Sequence, residues 1–380
     1  MKPSKEAVMN TPSLQLPSCP RHIAWFKGAV VGLAIGACVP AAWALPDGVS
    51  CKVTTPPPKS ASLKAIEKVQ YGSWEAFDER DVQLDGEPAP ETSTRYHLLM
   101  KRPGAQPATD KPLVVFLHGF PEFSWSWETW LKQIGAQHDS IAIDLKGFGS
   151  SARPIPLAAY DLKRLTDELD QLAQCLGYSQ VIPVGHDWGA GLAWAYAINH
   201  PEHLKALVIL STPHPYTYSR EAADPNSEQR RRGRYIEQIR EGSAKSMLAF
   251  ISTASKDPSL FGPFYKGARA NRLVSANMNT LAKWDRMFSY YRAMDYPPDP
   301  AMYPAQPTAA SLKAMSVNVP TLAFWGTADG YFSPKSWEGV QAFVPQLDLR
   351  PIEGAGHFID HDVPELPAKV LAFIDSVTAP

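Results

Sequence analysis

Short apolar runs alternate with amphipathic segments over much of this chain. The continuous apolar runs at Leu113–Leu117 and 206–210 are typical of strands that are buried on both faces of a parallel sheet. Residues 162–176 instead carry leucines three or four positions apart, which predicts a helix with one apolar face. Further strands are predicted at residues 141–143, 181–184, 321–325 and 347–352, with irregular strands over 82–100 and a last helix at about 366–377. Strands that alternate with helices predict a mostly parallel, doubly wound α/β sheet.

The alternation stops after residue 212 for about a hundred residues that are rich in helix formers and aromatic side chains. Compact domains do not carry structureless loops of that length, so we expect an inserted helical cap at 213–316. The proline-rich residues 296–307 are predicted to return the chain to the core. The predicted core domain is therefore made of residues 45–212 and 317–380.

The N-terminal segment differs from the rest of the chain. Basic residues precede an apolar stretch at 28–44, which ends in the small-x-small pattern of a signal-peptidase site. We predict a signal peptide at 1–44 and export to the periplasm or the medium. A retained membrane anchor is one alternative, although about 17 residues interrupted by a proline are few for a spanning helix. Lipidation at Cys38 is another.

Two cysteines follow the predicted signal peptide, Cys51 and Cys175. In an oxidising compartment an even number of cysteines favours a disulfide. A pair of unpaired thiols, with Cys175 buried in its helix, is the alternative, and the sequence does not decide between them.

The formal net charge of the chain is -1, which gives no support for nucleic acid or an anionic surface as a partner. No cluster of histidine, cysteine and carboxylate residues suggests a metal, and we expect no cofactor. Nothing in the sequence predicts an oligomeric state.

The strongest chemical motif is Gly-His-Asp-Trp-Gly at residues 185–189, between a predicted strand and a predicted helix. It has the shape of a nucleophile elbow, with Asp187 where serine usually stands. Its glycines suit a tight turn that has no room for side chains. The alternative is an aspartate that only caps the helix, but the strand before it favours a nucleophile.

Two further residues complete a catalytic triad in the order nucleophile, acid, histidine. Asp329 and His357 each follow a predicted strand, so both are expected at the same edge of the sheet as Asp187. The titratable residues that come next are interpreted as surface groups: Asp360, His361 and Asp362.

The turn His-Gly-Phe-Pro at residues 118–121 follows another strand. The backbone N–H groups of Phe120 and Trp188 are predicted to form the oxyanion hole. Three side chains near this turn are predicted to bind substrate: His118, Pro121 and Trp125. The aromatic residues around them indicate an apolar substrate.

These motifs together resemble those of the epoxide hydrolase family of α/β-hydrolases, from about Glu67 onward. The resemblance implies an eight-stranded sheet with a helical cap. It also implies that Asp187 opens an epoxide to a vicinal diol through a covalent ester, without metal or cofactor. The substrate would be a small apolar epoxide.

Ser289–Ala293 resembles the aromatic-Tyr-Arg segment of that family, which implies that Tyr291 hydrogen-bonds the epoxide oxygen. A second tyrosine is expected earlier in the cap. Tyr235 is our prediction, and its rivals are Tyr216 and Tyr218. The basic run at 229–234 is interpreted as a solvated face without a function.

Three alternatives remain. Haloalkane dehalogenases share the elbow but generally have asparagine where this chain has Phe120. Fluoroacetate dehalogenases typically have arginine where this chain has Trp188. A non-catalytic binding protein is an alternative of another class, against which the complete triad argues.

Overall fold

The computed structural model describes residues 45, 49–56, 77–85, 94–242 and 280–379. The predicted signal peptide at 1–44, with Cys38, lies outside the described residues. Across the described ranges, no helix has the length and apolar character needed to cross a membrane.

The described strands form one sheet of nine. Their bounds are β1 Ser50–Thr54, β2 Asp78–Asp85, β3 Thr94–Lys101, β4 Leu113–Leu117, β5 Ser140–Ile143, β6 Val181–His186, β7 Leu207–Leu210, β8 Thr321–Gly326 and β9 Leu347–Ile352. The order across the sheet is β1-β2-β3-β5-β4-β6-β7-β8-β9. Pairing is antiparallel among β1, β2, β3 and β5, and parallel from β5 through β9.

Two sequence predictions about the sheet are corrected. The sheet has nine described strands instead of eight, because the edge strand β1 pairs with β2. β1 has no apolar run and is largely exposed, so its sequence gave no strand signal. The strands predicted as irregular are a regular antiparallel pair, in which Val82 lies opposite Tyr96.

Helices cover both faces of the sheet and make up most of the segment between β7 and β8. The described α-helices are α1 Glu128–Ile134, α2 Leu162–Cys175, α3 Trp188–Asn199, α4 Pro215–Ala223, α5 Glu228–Arg232, α6 Arg234–Glu241, α7 Leu281–Met287, α8 Ser289–Ala293, α9 Ala309–Met315, α10 Ile359–Asp362 and α11 Leu366–Thr378. The cap predicted at 213–316 contains α4 through α9.

The central strands are buried on both faces. Alternate side chains of β4 enter different apolar clusters: Val115 and Leu117 enter one, and Val114 and Phe116 the other. Each large apolar side chain so buried contributes about 1.5–3 kcal/mol. This core fixes the carboxyl ends of β4, β6, β8 and β9, where the predicted site residues lie.

One arginine joins two helices of the cap. Arg240 of α6 donates hydrogen bonds to the carbonyl oxygens of Tyr291 and Arg292, both at 3.1 Å, and to that of Met294. These bonds satisfy carbonyls at the end of α8, which would otherwise lack partners. α8, which carries Tyr291, is thereby tied to α6, which carries Tyr235.

Cys51 and Cys175 form a disulfide, with Cα atoms 6.0 Å apart and 124 positions between them in the sequence. Of the two alternatives that the sequence left open, the structure has the bonded one. The bond ties the edge strand β1 to the last residue of α2.

We expect replacement of both cysteines by serine to lower the free energy of unfolding by about 3 kcal/mol, because the bond closes a long loop in the unfolded chain. Urea unfolding of the variant and of the oxidised wild type measures the difference. Wild type in reductant is the control and should match the variant. Equal midpoints for all three would contradict the prediction.

Candidate active site

Asp187 occupies a strained turn between β6 and α3. Its φ is +50° and its ψ is -118°, a conformation that non-glycine residues rarely adopt and that costs about 1–3 kcal/mol. A Cβ at Gly119 would lie 2.4 Å from the Asp187 Cβ, and one at Gly189 would lie 2.0 Å from the Leu117 carbonyl oxygen. Glycine is therefore required at both positions for the turn to approach β4 so closely.

The two carboxylate oxygens of Asp187 have different surroundings. Oδ1 accepts a hydrogen bond from the backbone N–H of Phe120 at 2.8 Å. Oδ2 lies 3.5 Å from His357 Nε2. Oδ1 thus lies at the predicted oxyanion hole, and Oδ2 faces the imidazole of His357. The contribution of the Trp188 N–H stays a prediction.

His357 is held by the predicted acid. Its Nδ1 lies 2.9 Å from Oδ2 of Asp329. The other oxygen of Asp329 accepts hydrogen bonds from the backbone N–H groups of Tyr331 at 2.7 Å and Phe332 at 3.1 Å. The side chains of Asp329 and His357 are both buried. The structure therefore brings the three predicted triad residues together, with His357 between Asp187 and Asp329.

Burial alone would lower the pKa of His357, but the charge of Asp329 and hydrogen bonds with Asp187 and Asp329 raise it to about 10. Burial would likewise raise the pKa of Asp187, but contacts with His357 and the Phe120 N–H lower it. Each group therefore stabilises the charged form of the other, as a carboxylate and an imidazolium.

Tyr291 and Tyr235 line a small cavity together with Asp187, Phe120 and His357. Their ring centroids are 5.9 Å apart. Burial, and then the charge of Asp187 for Tyr291 and of Tyr291 for Tyr235, raise the pKa of both phenols well above the ordinary value. Both hydroxyls therefore stay protonated and can donate hydrogen bonds.

The two rival tyrosines are in different places. Tyr216 is buried away from the site and donates to the carbonyl oxygen of Pro304 at 2.9 Å. Tyr218 lines the large cavity beside Asp187. Tyr235 lines both cavities, as does Tyr331, which the sequence did not single out.

A larger cavity of about 440 Å³ begins at Asp187 and lies under the cap. Aromatic side chains form much of its wall: Tyr160, Trp188, Trp194, Tyr218, Tyr235, Tyr290, Tyr291, Tyr303, Tyr331 and Phe332. It is also lined by four exposed residues, which mark its entrance: Asp161, Leu162, Ala293 and Asp295. The arrangement suits an apolar molecule that reaches Asp187 from that entrance.

The three residues predicted to bind substrate do not line either cavity at Asp187, which corrects that prediction. Trp125 packs in the core, with its ring 5.8 Å from that of Phe77. His118 is buried; its Nδ1 donates to the Gly119 carbonyl at 2.8 Å, and its Nε2 accepts from the Leu145 N–H at 3.0 Å. Pro121 follows a cis peptide bond in the same turn. These residues build the turn that presents the Phe120 N–H.

The interpretation of Asp360, His361 and Asp362 as surface groups is also wrong, because Asp360 is buried and the other two are partly buried. His361 Nε2 lies 2.6 Å from Glu122 Oε1 and 3.2 Å from Asp360 Oδ2. His186 belongs to the same ion cluster and donates to the His357 carbonyl at 3.1 Å. The cluster thus supports the loop that carries His357. The sequence alone gave no indication of this cluster.

Two groups of described residues have donor atoms close enough together to hold a metal ion: Asp170 with His200 and His203, and Glu122 with Asp360 and His361. Neither group lines the cavities at Asp187. Their ligand atoms already make ion pairs or hydrogen bonds within each group.

The interpretation of residues 229–234 as a solvated face is wrong for most of them, because only Arg231 and Arg234 are exposed. Gln229 is buried, and Arg232 is partly buried against the residues that follow Asp329. Charge patterning could not reveal this, because both side chains bond groups about a hundred positions away.

Residues 112–362 match the family model described as alpha/beta hydrolase fold. The chain belongs to the α/β-hydrolase family. Among curated relatives, this α/β-hydrolase is 30% identical over 260 residues to epoxide hydrolase 1 of Caenorhabditis elegans, covering 68% of this chain and 63% of that protein. It is 28% identical over 262 residues to human epoxide hydrolase 4, covering 69% and 71%. The chain thus spans slightly less than two thirds of the first relative's length.

Solved structures of epoxide hydrolases share the fold of this α/β-hydrolase. The Bacillus megaterium enzyme in complex with an inhibitor has a TM-score of 0.61 at 24% identity, covering 75% of this chain and 98% of that one. A mutant of that enzyme, complexed with its product (R)-3-[1]naphthyloxy-propane-1,2-diol, has a TM-score of 0.59 at 26% identity, covering 75% and 97%.

We expect Asp187→Asn to lower the pKa of His357, because it removes an anion 3.5 Å from Nε2 while the contact with Asp329 remains. A pH titration of the imidazole nitrogens by NMR measures this. Tyr331→Phe is a control that leaves all carboxylates in place. An unchanged His357 titration in Asp187→Asn would contradict the coupling.

Proposed function

We propose that this α/β-hydrolase opens epoxides to vicinal diols through a covalent ester on Asp187. The observation that carries the proposal is the small cavity that the Asp187 carboxylate shares with the buried Tyr291 and the partly buried Tyr235. Displacement at a saturated carbon suits a carboxylate, which is already anionic. The departing alkoxide needs a proton donor, and each phenol can supply one.

In the first step, Oδ2 of Asp187 forms a bond to one ring carbon, and the bond from that carbon to the epoxide oxygen breaks. Tyr291, assisted by Tyr235, donates a proton to the oxygen and becomes a tyrosinate. The ester has no charge, so the anion that stabilised the protonated form of His357 is lost. His357 then returns a proton to the tyrosinate and becomes a neutral base.

In the second step, His357 accepts a proton from water as the water oxygen bonds to the ester carbonyl carbon. The oxyanion forms on Oδ1, which the Phe120 N–H faces; one such donor is worth ~10²–10³ in rate. The proton passes to the departing alkoxide, and the new carboxyl group ionises to His357. Asp329 keeps Nε2 of His357 turned toward the ester.

The aromatic cavity supports bulky, neutral epoxides as substrates. Its volume of about 440 Å³ accommodates a molecule with one or two rings. The Bacillus megaterium relative is complexed with a naphthyloxy-propanediol product, which makes aryl glycidyl ethers suitable assay substrates.

We expect Asp187→Asn to abolish turnover and His357→Gln to accumulate the ester, visible as a mass increase equal to the substrate. In a single turnover of the wild type in H₂¹⁸O, the label should appear on Asp187, because water attacks the carboxyl carbon. Label in the diol after the first turnover would instead indicate direct attack of water on the epoxide.

Chloroalkanes and haloacetates test the dehalogenase alternative in the same assay. With an epoxide, Tyr291→Phe should slow ester formation, since one of the two proton donors to the alkoxide is lost. A halide needs no proton to depart. Halide release by the wild type, without any turnover of epoxides, would replace our proposal with that alternative, and binding without turnover would favour the non-catalytic one.

We also propose that the protein is exported by cleavage of the segment at 1–44. The signal-peptide pattern and the Cys51–Cys175 disulfide support this, because disulfides persist in oxidising compartments. Fractionation of bacteria that express the full chain should give a shortened protein outside the cytoplasm. Full-length protein in the membrane would favour a retained anchor, and a lipid-modified Cys38 would favour lipidation.

A further inference from the structure

Gln229 of the cap helix α5 is buried to 1% exposure and contacts the loop that carries the catalytic acid. Its Nε2 donates to the Tyr331 carbonyl at 2.9 Å. Its Oε1 accepts from the Ser333 N–H at 2.8 Å and from the Ser336 hydroxyl at 2.9 Å. One amide from the cap thus satisfies three groups of the core, of which both serines are fully buried.

Arg232 lies one turn further along α5 and contacts the same loop. Its guanidinium donates to the carbonyl oxygen of Asp329 itself and to that of Phe332 at 2.7 Å. Glu228, four positions earlier, pairs with the guanidinium at 2.6 Å and orients it. The cap therefore bonds the backbone at the Asp329 carbonyl and at the residues that follow it.

The loop at residues 329–333, here called the acid loop, carries the groups that surround His357. Asp329 binds Nδ1 of His357, and the rings of Tyr331 and Phe332 lie 4.7 and 5.7 Å from the imidazole ring. Gln229 also lines the larger cavity, whereas Arg232 lines neither cavity at Asp187. An effect of Arg232 on catalysis therefore acts through the acid loop, and Gln229 shares its contacts with that loop.

We propose that Gln229 and Arg232 are positioning residues that hold the acid loop, so that Asp329 keeps His357 aligned for hydrolysis of the ester. This inference rests on the proposed function. The two steps need different groups: ester formation uses Asp187 and the cap tyrosines, and ester hydrolysis adds His357 and Asp329. Loosening the acid loop should therefore slow the second step while leaving the first.

The cap thereby has a second task beside covering the cavity. Within residues 228–241, Tyr235 lines the cavity. Gln229 and Arg232, a few positions before Tyr235, bond the acid loop. Since five hydrogen bonds join α5 to the acid loop and the adjacent Ser336, a properly seated cap and an aligned histidine go together.

The test is stopped-flow kinetics with an aryl glycidyl ether on the full mature chain with its disulfide. In Gln229→Leu we expect ester formation within about twofold of wild type and ester hydrolysis slowed by about 10- to 100-fold, since small misplacements of a catalytic group reach that size. The ester should then accumulate during turnover, visible by mass. Arg232→Gln is measured in parallel and should act in the same direction, so that the test does not depend on one buried variant folding.

Arg231→Gln is the matched control, because Arg231 lies on the same helix but is exposed and donates to the Asn226 carbonyl instead of the acid loop. It should leave both rates unchanged. Arg232→Lys, which keeps the charge and one donor, should recover part of the hydrolysis rate.

Three outcomes would overturn the inference. If both steps slow equally in Gln229→Leu and Arg232→Gln, the residues support the structure in general and do not position the acid. If neither variant accumulates ester while His357→Gln does, the covalent mechanism stands and the inference fails. Absence of ester in His357→Gln as well would refute the proposed function itself, and the inference with it.

Discussion

The charge of one buried carboxylate is the constraint on which this site depends. Asp187 is held at a strained turn, and removal from water would favour its neutral form. The Phe120 N–H and the protonated His357 offset that cost, one at each oxygen. In the proposed mechanism, esterification of Asp187 removes the anion that holds His357 protonated and leaves His357 able to accept a proton. Asp187 and His357 are thus coupled by electrostatics as well as by proximity.

The core and the cap share the work of holding these groups. Parallel strands end at one edge of the sheet and bring the nucleophile, the acid and the histidine together from distant parts of the chain. Buried residues beneath them, such as His118 and His186, keep the turns in place through bonds to backbone atoms. On the cap side, α5 is hydrogen-bonded to the acid loop and α8 carries Tyr291. The proton donors are therefore fixed relative to the triad.

Much of this was predictable from the sequence, because fully buried strands and the elbow leave strong local signals. The runs at Leu113–Leu117 and Thr321–Gly326, and the motif around Asp187, depend on neighbouring residues alone. Edge strand β1 was missed because an exposed strand needs no apolar run. The roles of Gln229 and Asp360 were missed because they depend on distant partners. Trp125 was misassigned because the sequence does not distinguish an aromatic side chain in the core from one in a cavity wall.

The two sets of hydrogen bonds that hold the cap affect how molecules enter and leave the cavity. Arg240 ties the end of α8, and α5 is joined to the core, so swinging the whole roof open would break many hydrogen bonds at once. Among the described residues, the entrance of the cavity lies beside Leu162 and Asp295, where rotation of side chains alone can admit a molecule. A roof held in this way selects molecules by girth before they reach Asp187.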